Sequence, residues 1–146
     1  MRKRAGRISL IGALALASVV GISVLLFLGG ESPSSAAGKF MNALAVGDVD
    51  QLTELSFLDG NSPAELKKKW EFAVKRAGPH YRFAWKMSGS KAVDDDSANV
   101  KMEFVPNALS NGSYPSPYEL SMQKIDGHWK VSIAEMSRKM YPGLPR

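Results

Sequence analysis

At Pro79 the hydrophobic period of the chain changes from that of a helix to that of a strand. Beyond it, Tyr81, Phe83, Trp85 and Met87 alternate with Arg82, Ala84, Lys86 and Ser88. Val100, Met102 and Phe104 alternate with Lys101 and Glu103, and Tyr118, Leu120 and Met122 with Glu119, Ser121 and Gln123. Trp129, Val131 and Ile133 alternate with Lys130 and Ser132. Successive side chains on a strand point to opposite faces, so this pattern predicts four strands with one dry and one wet face. Strands buried on one side only are typical of antiparallel sheets. Residues 91–97 and 106–117 read as links, the second rich in Pro, Asn, Ser and Gly, and Asp126-Gly127 is a hairpin signal.

Upstream, Ala37, Phe40, Met41 and Leu44 recur at helical spacing, which predicts a helix over residues 37–46 that Gly47 ends. Asp48 then caps a second short helix with Val49, Leu52 and Leu55 on one face. After a turn at Asp59, Gly60 and Asn61, the run Ser62-Pro63-Ala64-Glu65 is a capping box with Pro at the first helical position. The third helix carries Leu66, Trp70, Ala73, Val74 and Ala77 as its apolar stripe and stops at Gly78-Pro79. Helices first and strands afterwards predict an α+β domain, about three helices packed on a curved four-stranded antiparallel sheet. Its expected core is aromatic: Phe40, Trp70, Phe72, Phe83, Trp85, Phe104 and Trp129. Such rings bury on the order of 150–250 Å² each. The chain has no Cys, so this core has to hold without disulfides, and thiolate metal sites and cysteine nucleophiles are excluded.

Residues 8–28, ISLIGALALASVVGISVLLFL, carry no charge. As a helix they span roughly 31 Å, about the thickness of a bilayer's hydrocarbon core. Arg2, Lys3, Arg4 and Arg7 precede the run and fit a cytoplasmic flank. Two assignments stand. The run exceeds the apolar region of a secretory signal peptide, about 7–15 residues, which favours an uncleaved anchor. Ser34, Ser35 and Ala36 supply the small residues a signal peptidase needs, in which case the domain is secreted. The expected organisation is a basic tail over residues 1–7, the membrane helix or signal peptide over 8–28 and a Gly/Ser/Pro linker over 29–36. The folded domain follows over 37–137, and an irregular tail over 138–146.

The formal net charge of +5 suggests nucleic acid until it is located. Four of the 19 basic residues, and no acid, precede residue 30, which leaves 15 basic against 14 acidic beyond it and a net charge of only +1. The positive charge is mostly a topology signal, and no nucleic-acid partner is expected.

Two stretches carry a family resemblance. KFMNALAVGDVDQLTELS, residues 39–56, puts an aromatic-containing helix before Gly-Asp and a second short helix, and YELSMQKIDGHWKVSIAEM, residues 118–136, is a hairpin with Asp-Gly at its turn. Together they resemble the nuclear transport factor 2-like superfamily, the cystatin-like α+β cone, in its small bacterial extracytoplasmic members of unknown function. The resemblance implies a cone closed by helices on one face of the sheet. The superfamily includes enzymes, ligand binders and assembly domains, so the fold does not choose the activity. In its enzymes, such as ketosteroid isomerase and scytalone dehydratase, carboxylates, imidazoles and phenols line the cone.

The dry-face residues named above include no carboxylate and no imidazole, and His80 and His128 fall outside that face. General acid–base work needs a titratable group inside a pocket. The inward face offers only the phenols of Tyr81 and Tyr118, and no catalytic residue is carried over from the family. An enzyme of isomerase or dehydratase type requires a slipped register or a helix-borne acid such as Glu71 reaching into the cone. Asp94, Asp95 and Asp96 lack the ligand spacing of a calcium loop and read as a solvated turn, and Lys67, Lys68 and Lys69 read as a solvated helix face. Asn111-Gly112-Ser113 is a glycosylation sequon that also makes an ordinary turn. No metal site and no cofactor is expected. The leading expectation is a single-pass, membrane-anchored extracytoplasmic domain without enzymatic activity, binding a small apolar ligand or a protein partner at the cell envelope. The ligand residues, at the cone mouth, would be Tyr81, Trp85, Tyr118 and Trp129. A structural subunit of an envelope or secretion assembly is the alternative.

Overall fold

The computed structural model describes residues 30–77, 81–106, 108, 112 and 114–146. The apolar run 8–28, its basic flank, His80 and Asn111 lie outside the described residues. Among the described residues no helix is long and apolar enough to cross a membrane. The compact unit runs over Pro33–Arg146.

The first helix, α1 (Pro33–Val46), begins four residues before the expected start, so half of the expected linker is helical. Proline suits that position because the first helical N–H has no partner to lose. Ala36, Ala37, Phe40, Met41, Ala43 and Leu44 form its buried face. Gly47 turns the chain with φ +72, and a Cβ there would stand 2.9 Å from Val74 Cγ1. Asp48 then caps α2 (Val49–Leu55) by accepting from Gln51 N at 3.2 Å. The expected capping box is formed at α3 (Pro63–Ala77): Ser62 N donates to Glu65 Oε2 at 2.8 Å and Glu65 N to Ser62 Oγ at 3.2 Å.

The sheet departs from expectation in strand number and direction. A two-residue strand, β1 (Ser56–Phe57), follows α2 directly and pairs parallel with β5 (His128–Ser132), Ser56 opposite Val131. With β2 (Ala84–Ala92), β3 (Ser97–Val105) and β4 (Ser116–Ile125) it makes a five-stranded mixed sheet in the order β1-β5-β4-β3-β2. The four-stranded antiparallel sheet of the sequence is the β2–β5 meander within it. Two residues carry no alternation, which is why β1 has no periodic signal. Asp126 and Gly127 both take positive φ, 51 and 79, the conformation a tight β4–β5 hairpin requires.

The dry face has the expected register. Val100, Met102, Phe104, Leu120, Met122, Trp129, Val131 and Ile133 are buried, and Tyr81, Phe83, Trp85, Met87 and Tyr118 pack against them half-buried. Phe72 is a correction to the expected core: it is 62% exposed. At 100° per residue it lies about 200° around the helix from fully buried Trp70, opposite the stripe rather than in it. The tail after β5 has neither helix nor strand, yet Met136, Met140, Tyr141 and Leu144 are buried in the core.

Trp70 links the layers. Its ring meets Phe40 of α1 edge-on at 5.9 Å, and its Nε1 donates to Ser56 Oγ at 3.0 Å. The Ser56 hydroxyl in turn donates to the Leu52 carbonyl of α2. Among the described residues Ser56 is the buried polar side chain of this core. Replacing it by alanine strands a buried indole N–H, which typically costs about 1–3 kcal/mol. Ser56→Ala is therefore expected to lower the denaturation midpoint of the chain, while Thr53→Ala, on a half-buried hydroxyl of the same helix that bonds only Val49 O, changes it far less. Equal midpoints for Ser56→Ala and wild type would remove the role given to this bond.

Candidate functional site

The interior between α1 and the sheet is filled with side chains. Phe40, Met41, Trp70, Val100, Met102, Phe104 and Leu120 are each at most 1% exposed. Among the described residues no carboxylate or imidazole is buried there: His128 sits exposed at the start of β5, and Glu71 is exposed on α3 instead of reaching into the cone. Among the described residues no three His, Asp or Glu side chains gather as metal ligands. Asp94 accepts from Asp96 N at 2.8 Å and closes the β2–β3 turn, as its reading as a turn anticipated.

Tyr81, Trp85, Tyr118 and Trp129 do not converge on one mouth. Tyr81 and Tyr118 stand at the two ends of a ring ladder: Tyr81 lies 5.9 Å from Phe83, Phe83 stacks on Phe104 at 5.0 Å, and Phe104 meets Tyr118 edge-on at 5.6 Å. Trp85 is the register partner of Phe104. Trp129 lies elsewhere, opposite Lys124 on β4, whose Nζ sits 5.8 Å from the ring centroid. Six residues of strand separate Lys124 from Tyr118, a distance of about 20 Å. The strand alternation identifies which residues face inward, but it does not say how far apart along the sheet they lie.

The tail explains the rest of the Tyr81 environment. Tyr81 Oη donates to Met140 O at 2.7 Å, and its ring meets Tyr141 edge-on at 5.5 Å. Burial pushes the Tyr81 phenol up to about 12, with smaller contributions from the neighbouring Tyr141 and Tyr118 phenols. Burial raises Tyr141 as well. Neither phenol is poised to exchange a proton near neutral pH.

Open space lies at the surface instead. A groove of about 630 Å³ over β3 and β4 is lined by Lys101, Glu103, Tyr118, Glu119 and Glu135 among others. A second, about 640 Å³, lies where Leu44, Val46, Val74, Tyr81, Arg82 and Tyr141 meet. A third, about 620 Å³, runs between α3 and the tail, with Lys68, Lys69, Phe72 and Arg76 on the helix and Leu144 to Arg146 opposite. Tyr81 and Tyr118 thus line different grooves, on either side of the ring ladder. The third groove escaped sequence reasoning because its two walls are some seventy residues apart in the chain. Its one local signal is a Phe at the wrong angle for the core.

The raised phenol sets an alkaline limit. Its folded value lies above the ordinary value of 10, so the stability it contributes is complete below pH 10 and is lost as pH rises to about 12. Tyr81→Phe is expected to flatten that part of the pH–stability curve measured by urea denaturation. A variant curve as steep as wild type there assigns the alkaline loss to other groups.

No protein-family model and no curated protein sequence matches the chain. Solved structures do. A protein from Thiobacillus denitrificans named for a calcium/calmodulin-dependent protein kinase type II association domain is 13% identical with a TM-score of 0.51, the match covering 68% of this chain and 89% of that one. A SEC-C motif-containing protein from Rhodopseudomonas palustris is 14% identical with a TM-score of 0.52, over 74% of this chain and 83% of its own. An NTF2-like protein of unknown function from Shewanella oneidensis is 13% identical with a TM-score of 0.44, over 66% and 88%. Ketosteroid isomerase-like and cystatin-like fold proteins also match. At such identities the likeness is one of fold. Several of these neighbours are named NTF2-like or cystatin-like, the fold that the helix pair of residues 39–56 and the hairpin of residues 118–136 resemble.

Proposed function

We propose that the chain is a membrane-held, non-enzymatic binding domain that takes a protein partner on its outer surface, with residues 8–28 as anchor and Pro33–Arg146 on the extracytoplasmic side. The observation that carries this reading is the filled interior. Side chains at most 1% exposed occupy the place where superfamily enzymes keep their catalytic groups. A small apolar ligand inside the cone would have to displace close-packed rings, and native cores resist even a methylene of extra volume. Grooves with polar rims suit a macromolecule better than a buried small molecule. The basic flank and uncharged run of the N-terminus support the anchor and its orientation.

Two measurements test this on the full chain. Extracted from membranes in mild detergent, it is expected to co-elute with one partner in constant ratio, and protease added to intact cells is expected to reach the domain from outside. One-to-one retention of a lipid or other apolar small molecule, with no partner, would overturn the partner function in favour of a ligand carrier. Protection of the domain in intact cells would overturn its placement.

A further inference from the structure

The domain beyond residue 30 has a net charge of only +1, yet its groove between α3 and the tail is lined by four basic side chains, Lys68, Lys69, Arg76 and Arg146, and by no Asp or Glu. Lys68, Phe72 and Arg76 follow one another at four-residue spacing, so they share one side of α3. Lys67, one residue outside the groove, is different: it pairs with Asp50 at 3.0 Å, and that bond raises its affinity for its proton. Among the described residues no Asp or Glu side chain pairs with the four groove cations, and Lys69 donates to the main-chain oxygen of Arg146. A single exposed aromatic residue is ordinary on a protein surface. Phe72 is 62% exposed beside a concave groove whose other apolar lining is Leu144 and Pro145.

The tail is fixed against the helix, so the groove is built rather than incidental. Tyr81 Oη holds the Met140 carbonyl, Arg138 Nη1 donates to Leu144 O at 3.3 Å, and Gly143, with φ +70, lets the backbone pass close to Ala73 and Arg76. A Cβ at Gly143 would stand 3.0 Å from Arg76 Cδ. The result is a groove in which apolar side chains lie among positive charges.

We propose that this groove is the partner-binding site and that its occupant is an acidic peptide segment of the partner, with carboxylates on the cations and an apolar side chain against Phe72, Leu144 and Pro145. The proposal rests on the partner-binding function argued above and names its chemistry. Charge complementarity selects an acidic occupant, and concavity selects a chain segment over a bilayer, whose flat charged plane meets the rim of a groove and leaves its floor empty. The groove over β3 and β4 sets three carboxylates against Lys101, a net negative lining that disfavours an acidic occupant.

The test uses the full chain in phosphatidylcholine nanodiscs and a short fluorescein-labelled peptide of glutamates around a central phenylalanine, read by anisotropy. Binding is expected to weaken with salt. Lys68→Glu with Arg76→Glu is expected to weaken it about tenfold or more. Phe72→Ala is expected to weaken it several-fold, and to have no effect on an all-glutamate peptide. Lys91→Glu, an exposed charge reversal on β2, is expected to leave it unchanged. All of these positions are exposed, and unchanged thermal midpoints establish that the variants fold. Absence of binding to wild type, or equal binding by the double variant, overturns the proposal. Flotation with phosphatidylglycerol vesicles that the double variant abolishes, without peptide binding, reassigns the groove to anionic lipid. If a co-purified partner stays on the double variant, the groove falls and the partner-binding function stands.

Discussion

One hydrogen bond inside the helical layer organises the rest of the fold. Trp70 is the largest fully buried side chain among the described residues, and its indole N–H is shut off from solvent. Ser56 accepts it at 3.0 Å and donates its own hydrogen bond to the Leu52 carbonyl near the end of α2. That requirement places the end of α2, the start of β1 and the middle of α3 at one point. It also explains why the chain spends two residues on a parallel strand: Ser56 is held by α2 on one side and paired to Val131 on the other. A buried polar group fully satisfied in this way fixes which helix face turns inward and which residues are left outside. Phe72 is one of those left outside.

What was legible in the sequence is what repeats or punctuates. The alternation of Val100, Met102 and Phe104, and of Tyr118, Leu120 and Met122, predicts inward faces that the structure has, with no slip of register. Asp48, the Ser62–Glu65 box and Asp126-Gly127 act locally, and each forms the cap or turn its chemistry demands. What was not legible is non-local. Nothing periodic marks a two-residue strand. Nothing in a Pro/Gly-rich tail announces that Met140 and Tyr141 close the core. Trp85 and Trp129 both point inward but sit at different heights of the sheet, and only pairing reveals that separation.

The same distinction applies to charge. Counting residues gives a nearly neutral domain. Folding separates the signs, because the tail is laid along α3 by contacts of Tyr81 and Arg138 that lie outside the groove itself. A surface assembled from distant segments can be strongly polarised in a chain whose average is close to zero. The proposed partner binding rests on this pair of features, a filled interior and a polarised exterior.

The two outer strands of the sheet have a further consequence. An open sheet offers unpaired backbone at both borders, and such borders invite strand addition from other chains. Here one border is β1, too short to template a partner strand. The other is β2, whose ladder shifts register between Met87 and Gly89 and which carries Lys86 and Lys91. A bulge bends the strand and lysines repel an incoming backbone. The sheet is therefore closed to growth at both borders without being a barrel. Copies of the domain held close together can in this way crowd against one another without polymerising through their sheets.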